Sequence, residues 1–287
     1  MRSSNWLKHP SASQAWLRRW RRRLRLSSLM TAVSLISGCI APTLGVATLP
    51  VPTQTVAAQP TPASLTTWQT IAPGLEWRIY APGGNYPLTQ FTVLRVDTLV
   101  YTLRAHYRPG QPLNLNAWAE QLPNAAAFIN ANFFDPQFTA LGMVVSDGVI
   151  YGQSFRRGGM VQVENGIVRV RHLNSEPFDG EPLEQAVQAF PMLVANGTSI
   201  YSDNSPDRAS RRTVAAQDAD GRLVLLVTSS LIGMRLADLS SYLTTTDLNL
   251  VSAVNLDGGG SSMMAVPGAF NIFSFDAVPA VLAVYPR

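Results

Sequence analysis

Gly159 to His172 reads GMVQVENGIVRVRH. Two runs with valine or isoleucine at alternate positions flank Asn165-Gly166. Alternation of apolar and polar side chains is the period of a half-buried strand. Asn-Gly supplies the positive-φ residues that a two-residue hairpin turn needs. The segment therefore predicts an antiparallel hairpin. The same signal occurs three more times. Asp147-Gly148 separates LGMVVS from VIYGQS, Asn196-Gly197 separates PMLVA from TSIY, and Asp220-Gly221 separates TVAAQDA from RLVLLVT. Together they predict a largely antiparallel, in part mixed, β-sheet built from hairpins. Further strands are expected at Glu76–Tyr80, Thr92–Val96, Val100–Tyr107 and Ala127–Ala131. Helices are few: Asn114 caps one that ends at Gln121 before Pro123, Leu236–Thr244 places Leu236, Leu239 and Leu243 on one face, and a third is expected over Pro182–Gln188. The class expected is α+β, with a few helices packed on the sheet.

Outward from the hairpins, one domain is expected over residues 68–287. Before it, residues 40–67 are rich in Pro, Thr, Ala and Val, carry no charge, and read as an extended tether. Residues 1–39 read as an export leader: an arginine run from Leu17 to Arg25, an uncharged apolar stretch to Gly38, then Cys39. Ile36-Ser37-Gly38-Cys39 resembles a bacterial lipobox, in which the cysteine is lipidated and becomes the first residue of the mature chain. The expectation is an extracytoplasmic protein of the bacterial cell envelope, held to the membrane by a lipid on Cys39, with plain secretion as the alternative.

The charge balance supports that division. The chain has 22 Lys+Arg and 18 Asp+Glu, a net of +4. Eight of the basic residues, and no acid, precede Cys39, so the remainder has 14 basic against 18 acidic residues. The basicity belongs to the leader, and no nucleic-acid partner is expected. Lys8 is the only lysine, which excludes a phosphate-loop or Schiff-base lysine in the body. Cys39 is the only cysteine, which excludes an intrachain disulfide. Only His106 and His172 follow the leader, so acid–base chemistry falls to carboxylates. No cofactor is required. Calcium is the metal left open, through Asp203 and Asp207 in the polar loop Tyr201–Ser210.

Three segments carry the candidate chemistry. Phe128–Pro136, FINANFFDP, ends a β-prone run with Asn130, Asn132 and Asp135 around two phenylalanines. Ala209–Ala216, ASRRTVAA, places Arg211 and Arg212 ahead of an apolar strand. Neighbours in a strand point to opposite faces, so the two arginines have different roles, one solvated and one directed into a site. Asn255–Met264, NLDGGGSSMM, delivers Asp257 from a strand into Gly258-Gly259-Gly260 and then Ser261-Ser262. Glycines permit close backbone approach, and their N–H groups can converge on an anion. No lysine follows, so this is not a nucleotide-binding loop, and Met263 excludes the G-x-S-x-G turn.

The order of these motifs, with FPMLVANG at Phe190–Gly197 between them, resembles the phosphodiester glycosidase family over about Phe128 to Met264. The matching residues are Asn130, Phe133, Phe134, Asp135, Pro191, Arg212, Thr213, Asp257, Gly258, Gly259 and Ser261. One departure stands out: many members have D-G-R after the strand that here ends in Val227, where this chain has Thr228-Ser229-Ser230. The resemblance implies hydrolysis of the bond between a sugar's anomeric carbon and a phosphodiester oxygen, in a glycan of the cell envelope or an exopolysaccharide. Asp257 is then the base or nucleophile. Arg212, with the Gly258–Gly260 amides, Ser261, Ser262 and Thr213, holds the phosphate. Asn130, Asn132 and Asp135 orient the sugar, or Asp135 is a second carboxylate. Two other functions use the same residues: a non-catalytic carbohydrate-binding lipoprotein, which the missing D-G-R element favours, and an exopolysaccharide hydrolase or transferase of different bond specificity.

Overall fold

A computed structural model describes residues 67–202 and 208–287. The expected leader, Cys39, the tether up to Thr66, and Asp203 and Asp207 lie outside the described residues. In chain order the strands are β1 (Gln69–Ala72), β2 (Leu75–Tyr80), β3 (Phe91–Val96), β4 (Tyr101–Tyr107), β5 (Ala127–Asn130), β6 (Val144–Ser146), β7 (Val149–Tyr151), β8 (Gly159–Glu164), β9 (Ile167–His172), β10 (Gln185–Ala189), β11 (Met192–Ala195), β12 (Thr198–Ser199), β13 (Thr213–Asp218), β14 (Leu223–Thr228), β15 (Leu250–Asn255), β16 (Met264–Val266), β17 (Phe270–Ile272) and β18 (Ala280–Pro286). The α-helices are α1 (Leu115–Gln121) and α2 (Leu236–Leu243).

These strands form three sheets, in the orders β1-β2-β3-β14-β13-β15-β11-β12, β7-β6-β10-β8-β9 and β17-β16-β5-β18-β4. Every pairing among the described strands is antiparallel. The protein is thus mostly antiparallel β, with two helices among the described residues, which agrees with the α+β expectation in broad terms only. All four Asx-Gly signals close hairpins. At the first three, both turn residues have positive φ: Asp147 and Gly148, Asn165 and Gly166, Asn196 and Gly197. The fourth works differently. Asp218 Oδ1 accepts from the N–H groups of Asp220 and Arg222, at 3.0 and 2.9 Å, and only Gly221 turns left-handed.

One shared core explains the continuous apolar runs. Leu94, Leu225 and Ala215 of the first sheet, Val161 and Val187 of the second, and Ile129 and Leu282 of the third pack into one buried cluster. In the first and third sheets the chain neighbours point the other way and are covered by helices, and in the second Met160 and Ala186 pack with Leu173 and Leu183. Val214, Ala216 and Leu226 meet Leu239 and Leu243 of α2, and Phe128, Val281 and Ala283 meet Leu115 and Trp118 of α1. A strand covered on both faces reads as LVLLV or AVLAV rather than as an alternation. Asn114 caps α1 as expected, its side chain accepting from Ala117 N at 2.9 Å.

The expected third helix is a correction. Gln185–Ala189 is β10, in the middle of the second sheet, with Val187 opposite Val161 on one side and Val144 on the other. Its Gln and Ala content, with Glu184 just before it, favours a helix locally, but ladder pairing and burial on both faces override propensity. The two buried glutamines serve backbone donors of adjacent strands and loops. Gln185 Oε1 accepts from Ala105 N at 3.0 Å, and Gln188 Oε1 from Met143 N and Phe155 N, each at 3.2 Å.

Candidate active site

The three chemistry-bearing segments meet at Asn130, the last residue of β5. This side chain is fully buried. Its Nδ2 donates to the Asp257 carbonyl at 2.7 Å. Its Oδ1 accepts from the Thr213 hydroxyl at 2.8 Å and from Met263 N at 3.0 Å. One amide therefore ties the ends of β5, β13 and β15 together. This corrects the expected roles of two residues: Asn130 and Thr213 bond to protein groups and position the site, rather than binding sugar or phosphate.

Asp257 follows the end of β15, with its N–H on the Ala131 carbonyl at 3.0 Å. Burial pushes its carboxyl up to about 6, and the charge of Asp276 adds to the rise. The Ser261 hydroxyl and the Gly258 N–H, 2.8 Å from Oδ1, donate to the carboxylate and pull the other way. A carboxyl with a pKa near neutrality exchanges protons at working pH, as a general base requires. Ser261 thus steadies Asp257 instead of meeting a phosphate.

The glycine run is also corrected. The Gly258 N–H is taken by Asp257, and the Gly259 N–H donates to the Arg211 carbonyl at 2.8 Å. Two of the three amides expected to form an anion nest are therefore occupied. The glycines are required by space and conformation. A Cβ on Gly258 would lie 2.8 Å from the Arg211 carbonyl oxygen, Gly259 has φ +67°, and a Cβ on Gly260 would lie 2.0 Å from Asp276 Oδ2. Asp135 is corrected as well: its Oδ1 accepts from Gln137 N and Thr139 N at 2.9 and 2.8 Å, so it closes its own loop. Asn132 and Ser262 remain candidates for substrate contact, because both are buried and their side-chain polar atoms have no partner among the described residues.

Both arginines are buried, which corrects the expectation that one is solvated. They line different clefts. Arg212 lines a cleft of about 500 Å³, shared with Phe133, Phe190, Pro191, His172 and Asn255. Arg211 lines another of about 630 Å³. The smaller cleft is the candidate active site, because Phe133, Arg212 and Asn255, one from each motif segment, line it; Asp257 follows two residues beyond Asn255 and is not itself in the lining. Arg212 is fixed by bonds from Nε to the Met234 carbonyl at 2.9 Å and from Nη2 to the Arg208 carbonyl at 3.0 Å. The Phe190–Pro191 peptide is cis, and the Phe190 ring lies tilted against Phe133 with centroids 4.7 Å apart. Arg157 lies 5.0 Å above the Phe190 ring and brings a second cation to the cleft.

Sequence reasoning missed Arg157, His172 and Asp276 as site residues. Arg156-Arg157 before two glycines was an available signal for the first. His172 ends β9 of the Asn165-Gly166 hairpin, Asp276 is held at Gly260 by its N–H on that carbonyl at 3.0 Å, and neither had a local signal. Burial lowers the proton affinity of His172. Among the described residues no three His, Cys, Asp or Glu side chains converge as a metal site.

A family model described as phosphodiester glycosidase matches residues 123–285. No curated protein matches the chain. Among solved structures, the catalytic domain of zebrafish N-acetylglucosamine-1-phosphodiester alpha-N-acetylglucosaminidase, auto-inhibited by its pro-peptide, is similar with TM-score 0.60 and 19% identity, over 76% of this chain and 86% of that one. A hypothetical protein from Synechocystis is similar with TM-score 0.57 and 16% identity, over 75% of this chain and 63% of that one. A putative exported protein from Burkholderia pseudomallei is similar with TM-score 0.52 and 15% identity, over 69% and 74%. At these identities the structures share the fold.

Proposed function

The chain belongs to the phosphodiester glycosidase family, and from that premise we propose that it hydrolyses the glycosidic bond of a sugar-1-phosphodiester in the 500 Å³ cleft. The observation that carries this reading is the tie made by Asn130, which holds the Asp257 segment against the Arg212-Thr213 segment. In the proposed step, Asp257 takes a proton from water as the water oxygen bonds to the anomeric carbon. The bond from that carbon to the phosphate oxygen breaks, and its electron pair leaves with the phosphate monoester. A phosphate is a stable leaving group, so the protonated acid that ordinary glycosidases place on an alkoxide is not needed. Positive charge on the departing oxygens replaces it, and Arg212 and Arg157 supply that charge. Oriented charges of this kind contribute about 3–4 kcal/mol each to such steps. Asn132 and Ser262 are proposed to meet the sugar.

The natural substrate proposed is a glycan phosphodiester of the cell envelope or an exopolysaccharide. The export leader and a lipid on Cys39 would bring the enzyme there. Metabolic labelling with palmitate tests the anchor: label on the wild type and none on Cys39→Ser supports it, and equal labelling refutes it. For the reaction, the full chain is incubated with a panel of sugar-1-phosphodiesters that includes UDP-GlcNAc. Release of reducing sugar that is lost in both Asp257→Asn and Arg212→Ala supports the assignment. Binding of these compounds without release would favour the carbohydrate-binding alternative. Release undiminished in Asp257→Asn would remove that residue from the centre.

A further inference from the structure

Arg211 lines a second cleft, of about 630 Å³, which shares no lining residue with the candidate active site. Its walls come from β2 (Trp77, Ile79), β17 (Phe270, Ile272) and the segment that follows (Phe273, Phe275). The arginine is 6% exposed. Nε and Nη2 donate to the Thr228 carbonyl at 3.4 and 3.3 Å, and Nη1 to the Phe273 carbonyl at 3.1 Å. A guanidinium has five N–H donors, so each terminal nitrogen keeps one without an acceptor among the described residues. No carboxylate pairs with it there, and Phe275 covers one face with its ring centre 5.1 Å from Cζ. Burial lowers its proton affinity with no acidic neighbour to offset this. A buried charge is costly until it is paired.

The remaining surface of the cleft is mostly rings and branched aliphatics. The two serines that line it are engaged with their own loop and with Gln90. Ser229 Oγ donates to the Gln90 carbonyl at 3.3 Å. Ser230 Oγ donates to the Ile232 carbonyl at 2.6 Å and accepts from Gln90 N at 3.0 Å. A sugar needs several polar partners for its hydroxyls, and beside Arg211 and the engaged serines the polar lining is Thr92 and Asn271. An anionic head on an apolar body matches what is offered, and the volume is that of a small-ligand site. We propose that this cleft is a second binding site, for a single-chain amphiphilic oxyanion such as an alkyl phosphate or carboxylate. The head pairs with the two free N–H groups of Arg211, and the tail lies along Trp77, Ile79 and Phe270. This site is separate from the proposed hydrolytic cleft and does not depend on that reading.

The test titrates the full chain with decyl phosphate below its micellar threshold, followed by calorimetry and tryptophan fluorescence. Decanol, inorganic phosphate, an oligomeric uronic acid and vesicles of phosphatidylcholine with phosphatidylglycerol serve as comparison probes. Decyl phosphate is expected to bind at least tenfold more tightly than decanol or phosphate, and Arg211→Gln to weaken it at least tenfold. Two variants on exposed side chains bypass any folding defect in Arg211→Gln. Phe275→Ala is expected to weaken binding several-fold, and Leu231→Glu to weaken decyl phosphate but not decanol. The proposal is overturned if decanol binds as tightly as decyl phosphate, or if these variants leave decyl phosphate binding unchanged. Tighter binding of the uronic acid, or of vesicles without the free amphiphile, would also overturn it. So would competition between decyl phosphate and a sugar-1-phosphodiester for one site.

Discussion

Asp257→Asn removes the charge at the end of β15 while keeping the shape of the side chain. In the unfolded chain this carboxyl titrates at 3.8, and in the folded protein at about 6. The native state therefore holds the proton more tightly than the unfolded chain does. The stability linked to that proton is fully present below pH 3.8 and is lost as pH rises through about 6. A difference of about two pKa units corresponds to about 3 kcal/mol. Asparagine stays neutral, so the variant escapes that loss, and its Oδ1 can still accept the Gly258 N–H. For a folded body of about 220 residues, about 3 kcal/mol moves Tm by about 6–12 °C. Thermal unfolding of wild type and variant at about pH 4 and about pH 8 measures this. The variant is expected to match the wild type at the acid end and to exceed it by that amount at the alkaline end, while sugar release falls by about a thousandfold. A Tm difference independent of pH, or a less stable variant at pH 8, would refute the claim that burial raises this carboxyl.

Asn130→Ala leaves the Thr213 hydroxyl, Met263 N–H and Asp257 carbonyl without their partner, and is expected to cost about 3 kcal/mol in urea unfolding. Combining it with Thr213→Val should cost less than the sum of the two single changes, because they share a bond. Asp276→Asn removes a charge that raises the Asp257 carboxyl, so the acid limb of the rate–pH profile should move to lower pH; a limb that stays in place would refute that coupling. Gly258→Ala puts a Cβ 2.8 Å from the Arg211 carbonyl oxygen, so backbone has to move. Steady-state assays should show kcat falling more than tenfold, with a smaller change in KM.

The sequence by itself determined the local geometry. The positive-φ turns at Asn165-Gly166 and its counterparts, the Asn114 cap and the apolar runs each follow from the side chains at hand, because turn and cap preferences act over a few residues. It also singled out three segments, with strand-end polar groups at Asn130, Arg212 and Asp257, that the fold brings together. Only the tertiary structure decided what those groups do. Asn130 and Thr213 look like ligand donors in the chain, yet they are consumed by each other across 83 residues of sequence. The amides of Gly258 and Gly259 look free, yet they close on Asp257 and on Arg211. Gln185–Ala189 looks helical, but two flanking strands supply ladder partners that no local window contains. Arg211 and Arg212 differ for the same reason. Chain alternation separates them, but the residues that wall their two clefts come from strands far apart in sequence. A side chain's type sets what it can bond to, and the packing of distant strands decides which of those bonds are already made.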